Sequence, residues 1–232
     1  MTSNKEDYLK VIYEEGGLEK LVSNKVISEK IGVSPASVSE MLTKLSQQGL
    51  ILYEAYKGSQ LTENGLAACI HVVRSHRLWE VFLMEYLGYT WREAHEDAHL
   101  LEHTTPARMT DRLDAFLNYP QICPHGSLIP QKGHIPDSVK LQRLTDLSEG
   151  EAAVVFRVVE EGRLLDYLES SGLRINKTIR VLSIDDYEGP VTFLQEEKRI
   201  SISFKAANQV YVERQCVAGG EVCGGLQKLT EA

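Results

Sequence analysis

The 232 residues carry 25 Lys plus Arg against 33 Asp plus Glu, a formal net charge of −8, with 43% hydrophobic residues. This is an ordinary composition for a soluble chain of two or three small domains. No run approaches the roughly 18 apolar residues of a membrane helix, and the opening MTSNKEDYLK lacks the apolar stretch of a signal peptide, so a cytoplasmic protein without a membrane partner is expected. Cys69, Cys123, Cys216 and Cys223 form no CxxC pair, which argues against a zinc ribbon or a disulfide framework. The acidic balance argues against a protein that coats nucleic acid without sequence preference.

The elements follow in chain order. Ser3 to Glu6 reads as a capping box ahead of Tyr8, Leu9, Ile12 and Tyr13 at helical spacing. A second short helix carries Ile27 and Ile31 and stops at Gly32. Ser34 then caps a third whose first position is Pro35 and which buries Val38, Met41, Leu42 and Leu45. The run Leu50 to Tyr53, a Lys57-Gly58 turn and Ser59 to Thr62 complete a hairpin, giving the winged helix-turn-helix order. One or two helices are expected from Leu66 to Gly88, and further ones from a Thr90–Glu93 capping box to His103 and from Thr105-Pro106 through Met109, Leu113, Phe116 and Leu117. Four of the seven prolines fall between Tyr119 and Pro136, marking a loop or linker. Short β-branched runs at 152–159, 178–184, 191–194, 200–204 and 210–212, with one helix from Leu164 to Ser171, predict a small barrel-like domain. The expected division is 1–64, 65–140, 141–215 and a tail 216–232.

All seven histidines lie between His71 and His134. His95, His99, Glu102 and His103 on one predicted helix, with His76 and Glu80 on the one before, have the three- and four-residue spacings that put side chains on one helical face within reach of a shared cation. One such pair taken alone is more often a surface hydrogen-bonding pair. Two on neighbouring helices point to metal. Cys123 and His125 add a thiol and an imidazole on a proline-braced turn. Imidazole and carboxylate with at most one thiolate suit Mn²⁺ or Fe²⁺. No G-x-S-x-G, P-loop or GxGxxG is present to supply a reaction, so a sensor is favoured over an enzyme.

The combination of Asp7-Tyr8-Leu9, the segment SPASVSEMLTKLSQQGL, HRLWEVFL, AHEDAHLLEH, CPHG and a final β domain resembles the diphtheria toxin repressor family of metal-dependent transcriptional regulators, in its manganese-responsive three-domain branch. The resemblance extends to about residue 215. It implies an α+β multidomain chain: a winged helix-turn-helix, a helical dimerisation domain and an SH3-like or FeoA-like β domain. It implies one metal site from Asp7, His99, Glu102 and His103, and another from His76, Glu80, His95, Cys123, His125 and Glu160, with Glu161 as fallback. Two departures stand out. His99 takes the place of a family Cys or Glu, and Lys10 stands where the short two-domain manganese regulators have a second carboxylate, which implies two separated single-ion sites.

The implied function is a homodimeric, Mn²⁺-activated repressor of metal-uptake genes on palindromic promoter DNA, with Fe²⁺ as the alternative ion and Zn²⁺ able to fill the sites in vitro. With seven Lys and no Arg in residues 1–64, the bidentate Arg–guanine contact is missing from the DNA-binding segment. Base reading falls to Ser34, Ala36, Ser37 and Glu40, with Pro35 and Ser39 also expected at the DNA, and phosphate contacts to Lys25, Lys44 and Lys57. The rival readings are a winged-helix regulator of a small organic effector, with structural histidines, and a metal-dependent hydrolase carrying an accessory winged helix.

Overall fold

The computed structural model describes residues 2–131 and 140–214; the tail with Cys216 and Cys223, and His134 in the linker, lie outside them. The chain packs as two compact units: Met1–His76 with Leu100–Asp111, and Arg77–His99 with the chain from Arg112 onward.

In the first unit, α1 (Ser3–Glu14), α2 (Asn24–Ile31) and α3 (Pro35–Gln47) precede a hairpin of β1 (Ile51–Glu54) and β2 (Gly58–Leu61). Ser23 and Ser34 accept hydrogen bonds from Val26 N and Ser37 N, and Gly32 ends α2 at φ +74°, so serine caps and one left-handed glycine set the turn between helices. The capping box expected on α1 does not form. Thr2 is the N-cap without a side-chain bond, and Glu6 is engaged elsewhere. Leu9, Ile12, Ile27, Val38, Leu42, Leu45 and Ile51 are all buried in one core, while Met41 is only half-buried. Val22 pairs with Ser59 through two backbone hydrogen bonds, laying a third chain segment against β2 of the wing. Gly58 permits that approach, because a Cβ there would stand 2.4 Å from Val22 O.

One unbroken helix, α4 (Glu63–Leu87), follows, then α5 (Trp91–Glu102) and α6 (Ala107–Phe116). The Thr90–Glu93 capping box is present: Thr90 N donates to Glu93 Oε2 at 3.0 Å and Glu93 N to Thr90 Oγ1 at 3.4 Å. Of the stripe expected on α6 only Leu113 is buried, and Met109 and Phe116 are exposed.

In the second unit a six-stranded antiparallel sheet has the order β3-β8-β4-β5-β6-β7. Its strands are β3 (Gln142–Arg143), β4 (Ala152–Val158), β5 (Thr178–Ile184), β6 (Val191–Gln195), β7 (Lys198–Ile202) and β8 (Val210–Arg214); α7 (Gly162–Ser171) and a short α8 (Phe204–Ala207) complete it. Two-residue alternation, as in Ala153, Val155 and then Val158 after a register shift, turns one face of β4 into the core with Phe193, Leu165 and Leu168. The run expected to end at Phe204 stops two residues earlier, where Ser203 caps α8. The two-residue β3 carries no periodic signal and was not expected.

Candidate metal centres and DNA-facing helix

Asp7 projects from α1, one turn before Lys10. In the same unit Glu102, at the end of α5, is buried, and His103 follows it. His103 Nδ1 lies 2.7 Å from Glu6 Oε2, His103 Nε2 lies 2.9 Å from Asp7 Oδ1, and Glu102 Oε1 is 3.3 Å from His103 Nε2. One donor atom each of Asp7, Glu102 and His103 falls within 4.8 Å of the others. Asp7 Oδ1 is shielded from solvent and faces the His103 ring, so a cation entering beside it would meet a carboxylate and an imidazole together. His99, also on α5, stands one turn before His103 and is exposed. Glu102 Oε2 is taken by Lys10 Nζ at 2.6 Å and by His76 Nδ1 at 2.5 Å. A metal-ligating imidazole commonly gives its second nitrogen to a carboxylate in this way.

In the second unit, Glu80 on α4, His95 on α5, Cys123 and His125 in the loop after α6, and Glu160 after β4 come together. Glu80 Oε1 is 3.2 Å from His95 Nδ1 and 3.0 Å from His125 Nδ1, and Glu160 Oε2 is 3.8 Å from His95 Nδ1. Donor atoms of Glu80, Cys123, His125 and Glu160 lie within 4.8 Å of one another. Of the two acids expected from the β domain, Glu160 faces the cluster, whereas Glu161 is the exposed N-cap of α7. His76 stands one turn before Glu80 on α4.

The CPHG loop owes its shape to backbone. Cys123 N donates to Ser127 O, Gly126 N to Cys123 O, and Val158 N to His125 O, stitching the loop to β4. Gly126 at φ +87° presses so close to β4 that a Cβ would stand 1.8 Å from Phe156 O. His125 Nε2 meets Trp91 O at 3.1 Å, which leaves Nδ1 facing Glu80. Ser127 Oγ donates to Glu160 Oε1 at 2.7 Å. Burial pushes the Cys123 thiol well above its usual range; Glu80 and Glu160 add to that and Arg77 opposes it. A cation entering here must displace that proton.

Sequence reasoning missed four supporting groups: Glu6, Lys10, Ser127 and Arg77, whose guanidinium holds Leu128 O. Glu6 had a plausible local partner in the expected capping box. Ser127 and Arg77 act through contacts 33 and 51 residues distant, for which no local pattern exists.

On α3, Pro35, Ala36, Ser37 and Glu40 are exposed around the Ser34 cap, whose hydroxyl lies 2.9 Å from that of Ser37. Ser39 is committed to structure: it donates to Pro35 O and accepts from Asn24 Nδ2, which also donates to Tyr53 Oη. Lys44 pairs with Glu40 at 2.6 Å, Lys57 with Glu54 at 2.7 Å, and Lys25 with Glu29 at 3.9 Å. Such exposed pairs are weak and exchange readily for phosphate.

The residues match three family models: "Iron dependent repressor, N-terminal DNA binding domain" over 1–59, "Iron dependent repressor, metal binding and dimerisation domain" over 62–131, and "FeoA domain" over 142–214. The iron-dependent repressor IdeR of Mycobacterium tuberculosis is 32% identical over 225 residues, covering 90% of this chain and 96% of that protein. The chain belongs to the iron-dependent repressor (diphtheria toxin repressor) family. The diphtheria toxin repressor of Corynebacterium efficiens is 28% identical over 90% of this chain and 94% of its own length. Among solved structures, a manganese-dependent transcriptional repressor in complex with manganese has a TM-score of 0.82 at 32% identity, covering 90% of this chain and 99% of that one. The manganese regulator SloR has a TM-score of 0.75 at 40% identity, covering 93% and 100%. For this family member the metal-binding and dimerisation match spans eight of the ten expected ligands, with Asp7 in the DNA-binding match and Glu160 in the FeoA match.

Proposed function

We propose that the protein is a cytoplasmic, homodimeric transcriptional repressor, and not an enzyme, activated by Mn²⁺ and acting on palindromic promoter sites of metal-uptake genes. The observation that carries this reading is the meeting of Asp7, Glu102 and His103 within one unit and of Glu80, Cys123, His125 and Glu160 within the other. The donors proposed are Asp7, His99, Glu102 and His103 for one centre and His76, Glu80, His95, Cys123, His125 and Glu160 for the other. Oxygen and imidazole ligands suit Mn²⁺ and Fe²⁺. Fe²⁺ is the second reading, favoured by the iron-dependent name of the mycobacterial relative. Structures of one relative, ScaR, with bound Cd²⁺ and with bound Zn²⁺ support the expectation that Zn²⁺ fills the sites in vitro.

A divalent ion, when bound, supplies positive charge to donors that otherwise repel. Asp7 belongs to the helix that packs against α2, so its tie to Glu102 and His103 steadies the DNA-binding helices. Ser34, Pro35, Ala36, Ser37 and Glu40 then present the reading surface, with Ser39 bracing it from behind, and Lys25, Lys44 and Lys57 take phosphates. The ion works through its differential affinity for this arrangement. Stacked Phe82 and Tyr86 with Phe116, the last two more than half exposed, support a dimer surface. We assign the DNA-binding domain to 1–64, the dimerisation domain to 65–140 and the β domain to 141–215. Titrating a palindromic promoter fragment with Mn²⁺, Fe²⁺ and Zn²⁺ tests the whole reading: Mn²⁺ should promote binding at the lowest concentration, and binding that no metal or chelator alters would overturn it.

A further inference from the structure

Lysine is almost never buried without a partner, and Lys10 is buried. Its Nζ lies 2.6 Å from Glu102 Oε2, and the Glu102 side chain is wholly shielded from solvent. His76 Nδ1 takes the same oxygen, so Glu102 turns only Oε1 toward His103. Lys10 therefore sits within one carboxylate's width of the donors proposed to hold a cation. Glu6, Asp7 and Glu102 bring three carboxylates to His103, and the Lys10 ammonium cancels one of them. The remaining two negative charges match a single divalent ion.

We propose that Lys10 is a resident cation that sets the metal affinity of the Asp7, Glu102 and His103 centre. The inference rests on the metal-centre reading above. The ammonium does two opposed things. Without metal it neutralises a buried carboxylate and pins α1 to the end of α5, so the donors stay assembled. With metal arriving it is a like charge a few ångströms away in a poorly screened site, and it weakens binding. The result is an organised centre of moderate affinity, which a sensor needs if it is to empty when the ion becomes scarce.

A residue that merely pins two helices predicts lost stability and equal or weaker metal binding when removed; a resident cation predicts lost stability with tighter binding. The test uses the full-length protein stripped of metal and titrated with Mn²⁺ by calorimetry, alongside thermal unfolding without metal. Lys10→Met should bind Mn²⁺ at this centre at least about tenfold more tightly, equivalent to about 1.4 kcal/mol, while its metal-free Tm falls. Lys10→Arg, which keeps the charge, should stay near wild type in affinity. Lys10→Gln keeps a donor for Glu102 without the charge and serves if Lys10→Met does not fold. Unchanged or weaker Mn²⁺ binding in the neutral variants, with a lower Tm, would overturn the proposal in favour of a plain structural pin. Asp7→Ala separates this from failure of the underlying reading. If that variant binds Mn²⁺ as wild type does, the centre itself is wrong; if it binds weakly while Lys10→Met is unaltered, only the role of Lys10 fails.

Discussion

At the scale of single residues, the protonation of Cys123 gives the sharpest test of the second centre. Its pKa is raised by burial, Glu80 and Glu160. A thiol in the unfolded chain ionises near ~8.5, so the folded state favours the protonated form over any pH between the two values. That stabilisation is complete below the unfolded pKa and is lost as pH rises through the folded one. Urea titrations of metal-free protein should show stability falling as pH rises above about 8.5, and Cys123→Ser should flatten that limb. The same variant should bind Mn²⁺ about tenfold or more weakly at neutral pH, because hydroxyl is a poor substitute for thiolate. Unaltered affinity would make Cys123 a structural residue.

Asp7 carries a different expectation. Its shielded Oδ1 meets the His103 ring at 2.9 Å, while Lys10 and Glu6 also hold α1 to Glu102 and His103, so the metal-free fold does not depend on Asp7 alone. Asp7→Ala should remain dimeric by sedimentation and unfold near wild type, yet lose the Mn²⁺-dependent gain in promoter binding. Full activation in that variant would remove α1 from the switch.

At the scale of elements, the CPHG loop is held by glycine chemistry. Gly126 combines φ +87° with a clash that any Cβ would make against Phe156 O. Gly126→Ala should cost on the order of 1–3 kcal/mol in denaturant unfolding and weaken metal binding, since His125 and Ser127 move with the loop. On α3 the absence of Arg leaves Lys44, paired with Glu40, as the proposed phosphate contact. Lys44→Ala should weaken operator and random DNA alike and reduce the salt dependence of binding by about one phosphate. A change confined to one base step would instead mark it as a reader.

For the whole molecule, −8 per chain must approach a polyanion with seven Lys in the DNA-binding segment. Metal could act by offsetting charge or by fixing geometry. Screening falls to about 8 Å at physiological salt, and the donors of the second centre come from residues outside the DNA-binding match, which favours geometry. The Mn²⁺-induced gain in promoter affinity should persist across a monovalent salt series; a gain that vanishes as salt rises would reverse that ranking.

Local chemistry decided much of this protein in the sequence itself. Serine caps, Gly32, the Thr90–Glu93 box and helical His/Glu spacing depend on neighbours within one turn, so the helices and the ligand-bearing faces are legible without a fold. The glycine of CPHG, the placing of Glu160 rather than Glu161 beside the cluster, and the capture of Glu6 and Lys10 by His103 and Glu102 were decided only by tertiary structure. Each depends on groups dozens of residues apart in the chain, as with Lys10 and Glu102, 92 positions distant. A buried polar atom takes whichever partner packing brings within about 3 Å, and sequence spacing carries no information on that choice.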